Sequence, residues 1–182
     1  MAGLRLVIVV LCAVPWAHPL LAAETLIAKP LTTTQVDIVL ATYQDLVAAA
    51  ESRGAEFGKL MFVSPRRFGL LGPYDGELRA AFTDIVQEHG FIGFDDWKDQ
   101  FLRALAAHHL PYFRHAQTRL IAQREKISKD DVLSEDGKAA LISQIDDVEP
   151  SLLATIAQAE ADLPSVAPYA NQLEAIFPQP RW

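Results

Sequence analysis

Histidine is the residue type in this chain best suited to binding a metal ion or transferring protons. Four of the five histidines lie beyond residue 23: His89, His108, His109 and His115. Seven residues separate His108 from His115, so an uninterrupted helix would carry both on one face. A metal site would need a further ligand, for which Glu88 or His89 is available, but the i, i+4 pair of helical zinc sites is missing. His89, His108, His115 and Glu88 are therefore metal candidates only; we expect His108 to face the core, and His109 and His115 to be solvated.

Three pairs of adjacent acidic residues are the other groups that could do chemistry. They are Asp95-Asp96, Asp130-Asp131 and Asp146-Asp147. Neighbouring residues on a helix point about 100° apart, so such a pair is better placed to offset a helix dipole or face solvent than to share one substrate. The segment at Asp130 also lacks the alternating ligands and central glycine of a calcium loop. The sequence contains no nucleophile elbow, phosphate-binding glycine loop or His-Glu-x-x-His motif, and we predict no catalytic residue, no cofactor and no enzymatic activity.

The first 23 residues resemble a secretory signal peptide. Arg5 is their one charged residue apart from the chain terminus, Leu4 to Val14 is almost continuously apolar, and small residues end the stretch at Ala23. The apolar core is short for a membrane span and is followed by Pro15. We therefore expect export to the periplasm with cleavage of residues 1–23. An uncleaved inner-membrane anchor, with the protein facing the periplasm, is the alternative.

The net charge and the cysteine content argue against several kinds of partner and site. The chain has 16 Lys and Arg against 23 Asp and Glu, and loss of residues 1–23 would remove one basic residue and no acidic one. An acidic protein without a basic stripe is a poor nucleic-acid binder, and we expect no nucleic-acid partner. The single cysteine, Cys12, would leave with the signal peptide, so disulfides, thiolate metal sites and cysteine nucleophiles are not expected.

The elements that must position these residues are helices. Thr32 and Gln35 have the spacing of a capping box, and apolar residues then recur every three or four positions until Gly54. Similar patterns recur to residue 177 without a strand-like alternation. Gly90 is expected to end the second helix, and Leu152, Leu153 and Ile156 are expected to face the core. Pro111 falls inside the longest pattern and predicts a kink or break, and Pro150 predicts an interruption of a later helix. A last helix is expected after Pro164, with Pro168 near its first turn.

We predict an all-α, single-domain bundle of about five to six helices. Residues 24–31 form an extended lead, 32–177 the helical domain and 178–182 a tail. Residues 55–72 read as an irregular connector rich in glycine and aromatic residues. Phe57, Phe62 and Phe68 of this connector are candidates for an interaction surface.

Three groups of residues carry a resemblance to a known family. Leu31–Val36 opens a helix, His89-Gly90-Phe91 precedes Phe94-Asp95-Asp96-Trp97, and Val166–Tyr169 closes the domain. In these segments the chain resembles a family of small exported α-helical proteins of Gram-negative bacteria. The resemblance implies a shared helical fold and assigns no catalytic residue.

The Leu-Thr-x-x-Gln string at residues 31–35 also resembles the signature of the Spy and CpxP periplasmic chaperones. Those proteins carry the string twice and have surfaces rich in methionine and basic residues, whereas here it occurs once and Met61 is the one methionine beyond the signal. We interpret the string first as a helix cap.

These observations together favour an exported, non-enzymatic helical protein that acts through protein–protein contacts, either with another envelope protein or with itself. The alternatives are a Spy/CpxP-like chaperone, a membrane-tethered accessory subunit of an envelope complex, and a metal-binding protein using His89, His108 and His115. Membrane contact is expected only if the N-terminal segment is retained.

Overall fold

The computed structural model describes residues 28–54 and 76–178, and all of the ordered elements within them are helical. The helices are α1 (Thr33–Glu51), α2 (Gly76–Glu88), α3 (Phe94–His108), α4 (Leu110–Ser128), α5 (Glu135–Val166) and α6 (Ala170–Ile176), with a 3-10 turn over Ala167–Tyr169 before α6. The predicted all-α class is confirmed. The predicted signal segment and the connector 55–72 lie outside the described residues, as do 24–27 of the lead and 179–182 of the tail.

Helix ends follow the local chemistry of the sequence. Thr32 Oγ1 accepts from the Gln35 amide at 3.2 Å, and Gln35 Oε1 accepts from the Thr32 amide at 2.9 Å, which confirms the capping box of α1. Gly90 follows α2 with φ +89°, and the Phe91 amide donates to the Val86 carbonyl at 3.0 Å across this turn. Because an L side chain is strained at that φ, glycine allows this chain reversal.

The described chain divides into two compact units. The first contains residues 31–54 and 76–104, and the second contains residues 28–30 and 105–178. Whether 32–177 folds as one domain, as the sequence predicts, stays a prediction.

A row of aromatic rings joins three helices of the first unit. In α3, Phe94 contacts Trp97 with 5.4 Å between ring centroids, and Trp97 stacks on Phe101 at 5.0 Å. At the two ends of this row, Phe94 stacks on Phe82 of α2 at 5.9 Å and Phe101 stacks on Tyr43 of α1 at 5.3 Å. Trp97 is fully buried, and its Nε1 donates to the Val39 carbonyl at 3.2 Å. Offset aromatic stacking and one buried hydrogen bond thus fix α3 against α1.

A helical hairpin formed by α4 and α5 makes up most of the second unit. Its buried side chains recur every seven residues, as in a coiled-coil seam: Phe113, Leu120 and Ile127 on α4, and Ile145, Leu152, Ala159 and Val166 on α5. Ion pairs flank the seam, with Arg114 bound to Glu160 at 2.8 Å and Arg124 bound to Asp146 and Glu149. None of the helices in the described ranges has both the length and the apolarity that crossing a bilayer requires.

Of the three predictions drawn from the prolines, two are confirmed and the one at Pro150 is wrong. The break at Pro111 is confirmed, because α3 ends at His108 and Pro111 lies in the first turn of α4. Pro150 does not interrupt its helix: α5 runs unbroken for 32 residues and contains both Pro150 and Pro164. The last helix begins after Pro164, as predicted, with Pro168 in the 3-10 turn that directly precedes it. Burial of the α5 seam on both sides of Pro150 outweighs the local cost of proline.

Candidate functional site

Two histidines and a glutamate meet where the chain turns from α3 into α4. His108 is the last residue of α3, and His109 is the residue that caps α4. The two imidazole rings meet edge to face with their centroids 5.0 Å apart. Glu174 of α6 places its Oε2 3.1 Å from His108 Nε2, within hydrogen-bond distance. We call His108, His109 and Glu174 the corner cluster.

The main chain of His109 explains why both rings are held at this corner. Its amide donates to the Leu105 carbonyl at 2.8 Å, which extends the hydrogen bonding of α3, and its carbonyl accepts from the amides of Tyr112 and Phe113 at 2.9 and 3.3 Å, which begins α4. Pro111 has no amide hydrogen, and in the first turn of a helix none is needed. The proline therefore separates the two helices while His109 hydrogen-bonds to both.

Burial sets the protonation of His109. Both histidines are less than a tenth exposed. Burial, and then the neighbouring His108, lower the pKa of His109 from its ordinary value of 6.5 to about 4, although the Glu174 carboxylate acts in the opposite direction. His109 is therefore neutral near pH 7.

The sequence prediction for His109 was wrong, and Glu174 was missed. His109 was expected to be solvated like His115, but it is buried, whereas His108 is buried and His115 exposed as predicted. Periodicity could not reveal this, because the break before Pro111 ends the regular 100° progression of side chains. Glu174 lies 66 residues beyond His108, and no local motif connects them.

The other metal candidates lie in separate surroundings. His89 Nε2 is 2.7 Å from Asp45 Oδ2, so this histidine ties the turn after α2 to α1 in the first unit. Glu88, next to it, is exposed. Within residues 28–54 and 76–178, no three His, Cys, Asp or Glu side chains are arranged to hold a metal ion. The metal-binding alternative thus lacks a ligand cluster in the part of the chain that the structure describes.

Several of the adjacent acidic residues have structural roles. Asp96 Oδ2 accepts from the Ile92 amide at 3.0 Å, and a hydrogen bond from Lys98 lowers the pKa of Asp95. Asp130 Oδ1 accepts from the amides of Val132 and Leu133 at 2.8 and 3.1 Å, which shapes the turn between α4 and α5. These contacts place the carboxylates at helix starts and turns, as expected for polar side chains that satisfy free amides.

A buried polar pair on α5 was also missed from the sequence. Asp162 is fully buried and accepts from Gln158 Nε2 at 3.1 Å. The same Gln158 nitrogen donates to the Ala28 carbonyl at 3.3 Å. The pair thus fastens the extended lead to α5 within the second unit. Its i, i+4 spacing is a sequence signal that could have suggested the pair, but not its burial.

Large apolar side chains stand exposed on the hairpin. Ile121 of α4 is 55% exposed, Val132 in the connecting turn 94%, and Leu153 and Leu163 of α5 are 41% and 38% exposed. We call these four residues the hairpin apolar set. Leu153 was expected to be buried, but the seven-residue seam passes through its neighbour Leu152 instead. The connector residues Phe57, Phe62 and Phe68, the predicted interaction surface, lie outside the described residues.

Comparison of the chain with protein-family models, with curated proteins and with solved structures gives no match.

Proposed function

We propose that this chain is an exported periplasmic protein that acts through contacts with other proteins and has no enzymatic activity. The observation that carries the proposal is the exposure of the hairpin apolar set. Complete burial of one Val, Leu or Ile side chain contributes about 1.5–3 kcal/mol of favourable free energy relative to its exposure to water. A protein partner that covers such a side chain gains part of this free energy. The apolar leader of residues 1–23 supports the export part of the proposal.

The surroundings of these side chains also suit a protein interface. Interfaces combine a few apolar anchors with a polar rim, and charged pairs on the rim add specificity more than affinity. On the hairpin, Arg114 pairs with Glu160, and Arg124 pairs with Asp146 and Glu149, all of them at least partly exposed. Ile121 lies between the two arginines in the sequence of α4. The hairpin thus offers apolar side chains among ordered charges.

A capture experiment with matched variants tests the contact. The chain from Glu24 onward would be immobilised and exposed to envelope extract, alongside Ile121→Asp and the control Ala122→Asp. Ala122 is also exposed on α4, so both variants add one carboxylate to an exposed position of the same helix. We expect the wild type and Ala122→Asp to capture the same protein and Ile121→Asp to lose most of it. Capture that Ile121→Asp leaves unchanged, or no partner and no self-association under mild conditions, would contradict the proposal.

Cell fractionation with intact-mass analysis tests export separately. The proposal expects a periplasmic protein whose mass begins at Glu24. A full-length form in the inner membrane would support the tethered alternative. A full-length form in the cytoplasm would refute export.

A further inference from the structure

We propose that one face of the α4–α5 hairpin binds a second copy of this chain, so that two hairpins together form a four-helix bundle. The inference rests on the proposed function and deepens it, because it names the partner of the hairpin contact. It is carried by the order in which charged and apolar side chains follow one another on that face.

Seven-residue spacing places exposed apolar side chains in line with an ion pair. Ile121 follows Arg114 by seven residues on α4, and Leu153 precedes Glu160 by seven on α5. Two helical turns bring a side chain back to nearly the same direction, so each apolar residue shares a side of its helix with one member of the Arg114–Glu160 pair. Ile121 and Leu153 therefore lie on the same face and at the same level of the hairpin, and both stay exposed, at 55% and 41%.

A second group of ion pairs closes the other end of this face. Arg124 lies three residues beyond Ile121 and binds Asp146, which lies seven residues before Leu153. Arg124 also binds Glu149 at 3.1 Å. We call the following residues the hairpin face: Arg114, Ile121 and Arg124 on α4, and Asp146, Glu149, Leu153 and Glu160 on α5. The face thus has an apolar level between two charged levels.

The two helices of the hairpin carry opposite charge. The α4 sequence has four Lys or Arg against one Glu, whereas the α5 sequence has one Lys against seven Asp or Glu. On the hairpin face itself every charged residue of α4 is basic and every charged residue of α5 is acidic. A partner that fits this face must therefore present a basic helix beside an acidic one, and a second copy of the hairpin does so.

Two-fold symmetry allows two ways of stacking the hairpin face on itself. An axis that runs across the helices would place α4 on the second copy's α4 and the acidic α5 on its α5, so like charges would meet. An axis parallel to the helices places α4 on the second copy's α5 and keeps every residue at its own level. Arg114 then meets Glu160 of the second copy, and Ile121 meets its Leu153. Charge complementarity selects this arrangement.

The size of the face sets the expected strength of the contact. Because α4 has 19 residues, the face is about 28 Å long, and two packed helices are about 20 Å wide. Each copy therefore contributes about 560 Å², and the pair about 1,100 Å², which lies at the lower end of specific interfaces. We expect a reversible dimer with a dissociation constant between about 10 μM and 1 mM.

Sedimentation equilibrium of the purified protein measures the dimer directly. The proposal expects a monomer at the lowest concentrations and a rising fraction of dimer, with no larger species, as the concentration approaches about 1 mM. A protein that stays monomeric up to that concentration would overturn the proposal, and so would open-ended assembly, because a two-fold contact closes on itself.

Charge reversal tests the arrangement of the two copies. Arg114→Glu or Glu160→Arg alone sets like charges against each other at both symmetric contacts, and each should weaken the dimer about 10-fold. In an equimolar mixture, a dimer of one variant with the other has opposite charges at both contacts, so its affinity should return to that of the wild type. The pair inside each chain stays repulsive in the mixture, so a rescue reports the contact between copies alone. Energy transfer between differently labelled variants would measure it.

Arg119→Glu is the matched control. Arg119 is exposed on α4 but precedes the seam residue Leu120, whereas Ile121 follows it, so Arg119 lies on the opposite side of the hairpin. This variant should dimerise like the wild type. A mixture no tighter than either variant alone, or an equal loss in Arg119→Glu, would overturn the proposal.

The outcomes separate this inference from the function on which it rests. A monomeric protein that still captures an envelope protein, and loses it in Ile121→Asp, would refute the second copy as partner and leave the proposed function standing. Absence of both the dimer and the capture would refute the two together.

Discussion

Replacing Pro150 by alanine should stabilise the protein, because this proline lies in the middle of an unbroken helix. Its ring nitrogen cannot donate to the Asp146 carbonyl, and an interior proline costs a helix about 3 kcal/mol relative to alanine. Pro150 is exposed, so the substitution removes little packing. The added freedom of the unfolded chain offsets up to about 1 kcal/mol. We therefore expect the free energy of unfolding to rise by about 2 kcal/mol.

Pro111 is the matched control. It is also exposed, but it lies in the first turn of α4, where its missing amide hydrogen has no helical partner to lose. Pro111→Ala should lower the free energy of unfolding by about 0.4–1 kcal/mol, through the unfolded chain alone. Both substitutions replace an exposed proline by alanine. Opposite changes in the free energy of unfolding would therefore be caused by the position of each proline in its helix.

Urea denaturation followed by circular dichroism at 222 nm would measure both variants. The reasoning predicts a higher midpoint for Pro150→Ala and a slightly lower one for Pro111→Ala, with similar slopes. If Pro150→Ala were neutral or destabilising, or if the two variants shifted together, α5 would not be continuous through residue 150. The prediction of an interruption from the sequence would then have been right.

Three further substitutions test separate contacts. Thr32→Ala removes the side chain that caps α1 and should lower the free energy of unfolding by about 1 kcal/mol in the same denaturation experiment. Gln35→Ala should cost less in the Thr32→Ala background than in the wild type, because the two residues form one capping box. Trp97→Phe loses the hydrogen bond to the Val39 carbonyl and part of the ring, so about 2–3 kcal/mol of stability should be lost; a change below 0.5 kcal/mol would contradict its full burial. His109 binds a proton more weakly in the folded protein than in the unfolded chain, so the free energy of unfolding should be greatest above pH 6.5 and fall by at most about 3 kcal/mol toward pH 4. His109→Gln should reduce this dependence of stability on pH.

Local features of the fold could be predicted because their causes are local. The capping box at Thr32 needs only residues three positions apart, and the break at Pro111 follows from a missing amide hydrogen and a steric clash. Gly90 ends its helix because a residue with positive φ is needed there. In each case a few neighbouring residues decide the backbone conformation.

Features that depend on distant partners could not be predicted in the same way. Proline chemistry alone predicts an interruption at Pro150, but the sequence pattern does not show that α4 packs along α5 on both sides of it. His109 is buried at the turn between α3 and α4, and the Glu174 carboxylate that acts on it electrostatically lies 65 residues further along the chain. Leu153 and Leu152 are equally apolar, and only the position of the seam decides which one is buried. Tertiary packing overrides local preference at all three places.

Photo-crosslinking in living cells tests the central claim, that this protein works through its surface in the periplasm. A photoreactive amino acid would be placed at Ile121, which is 55% exposed, and for comparison at its neighbour Leu120, which is 4% exposed and lies in the hairpin seam. We predict a discrete adduct from position 121, joining the exported chain to an envelope protein or to a second copy of itself, and little or none from position 120. No adduct from position 121, or equal adducts from both positions, would contradict the account.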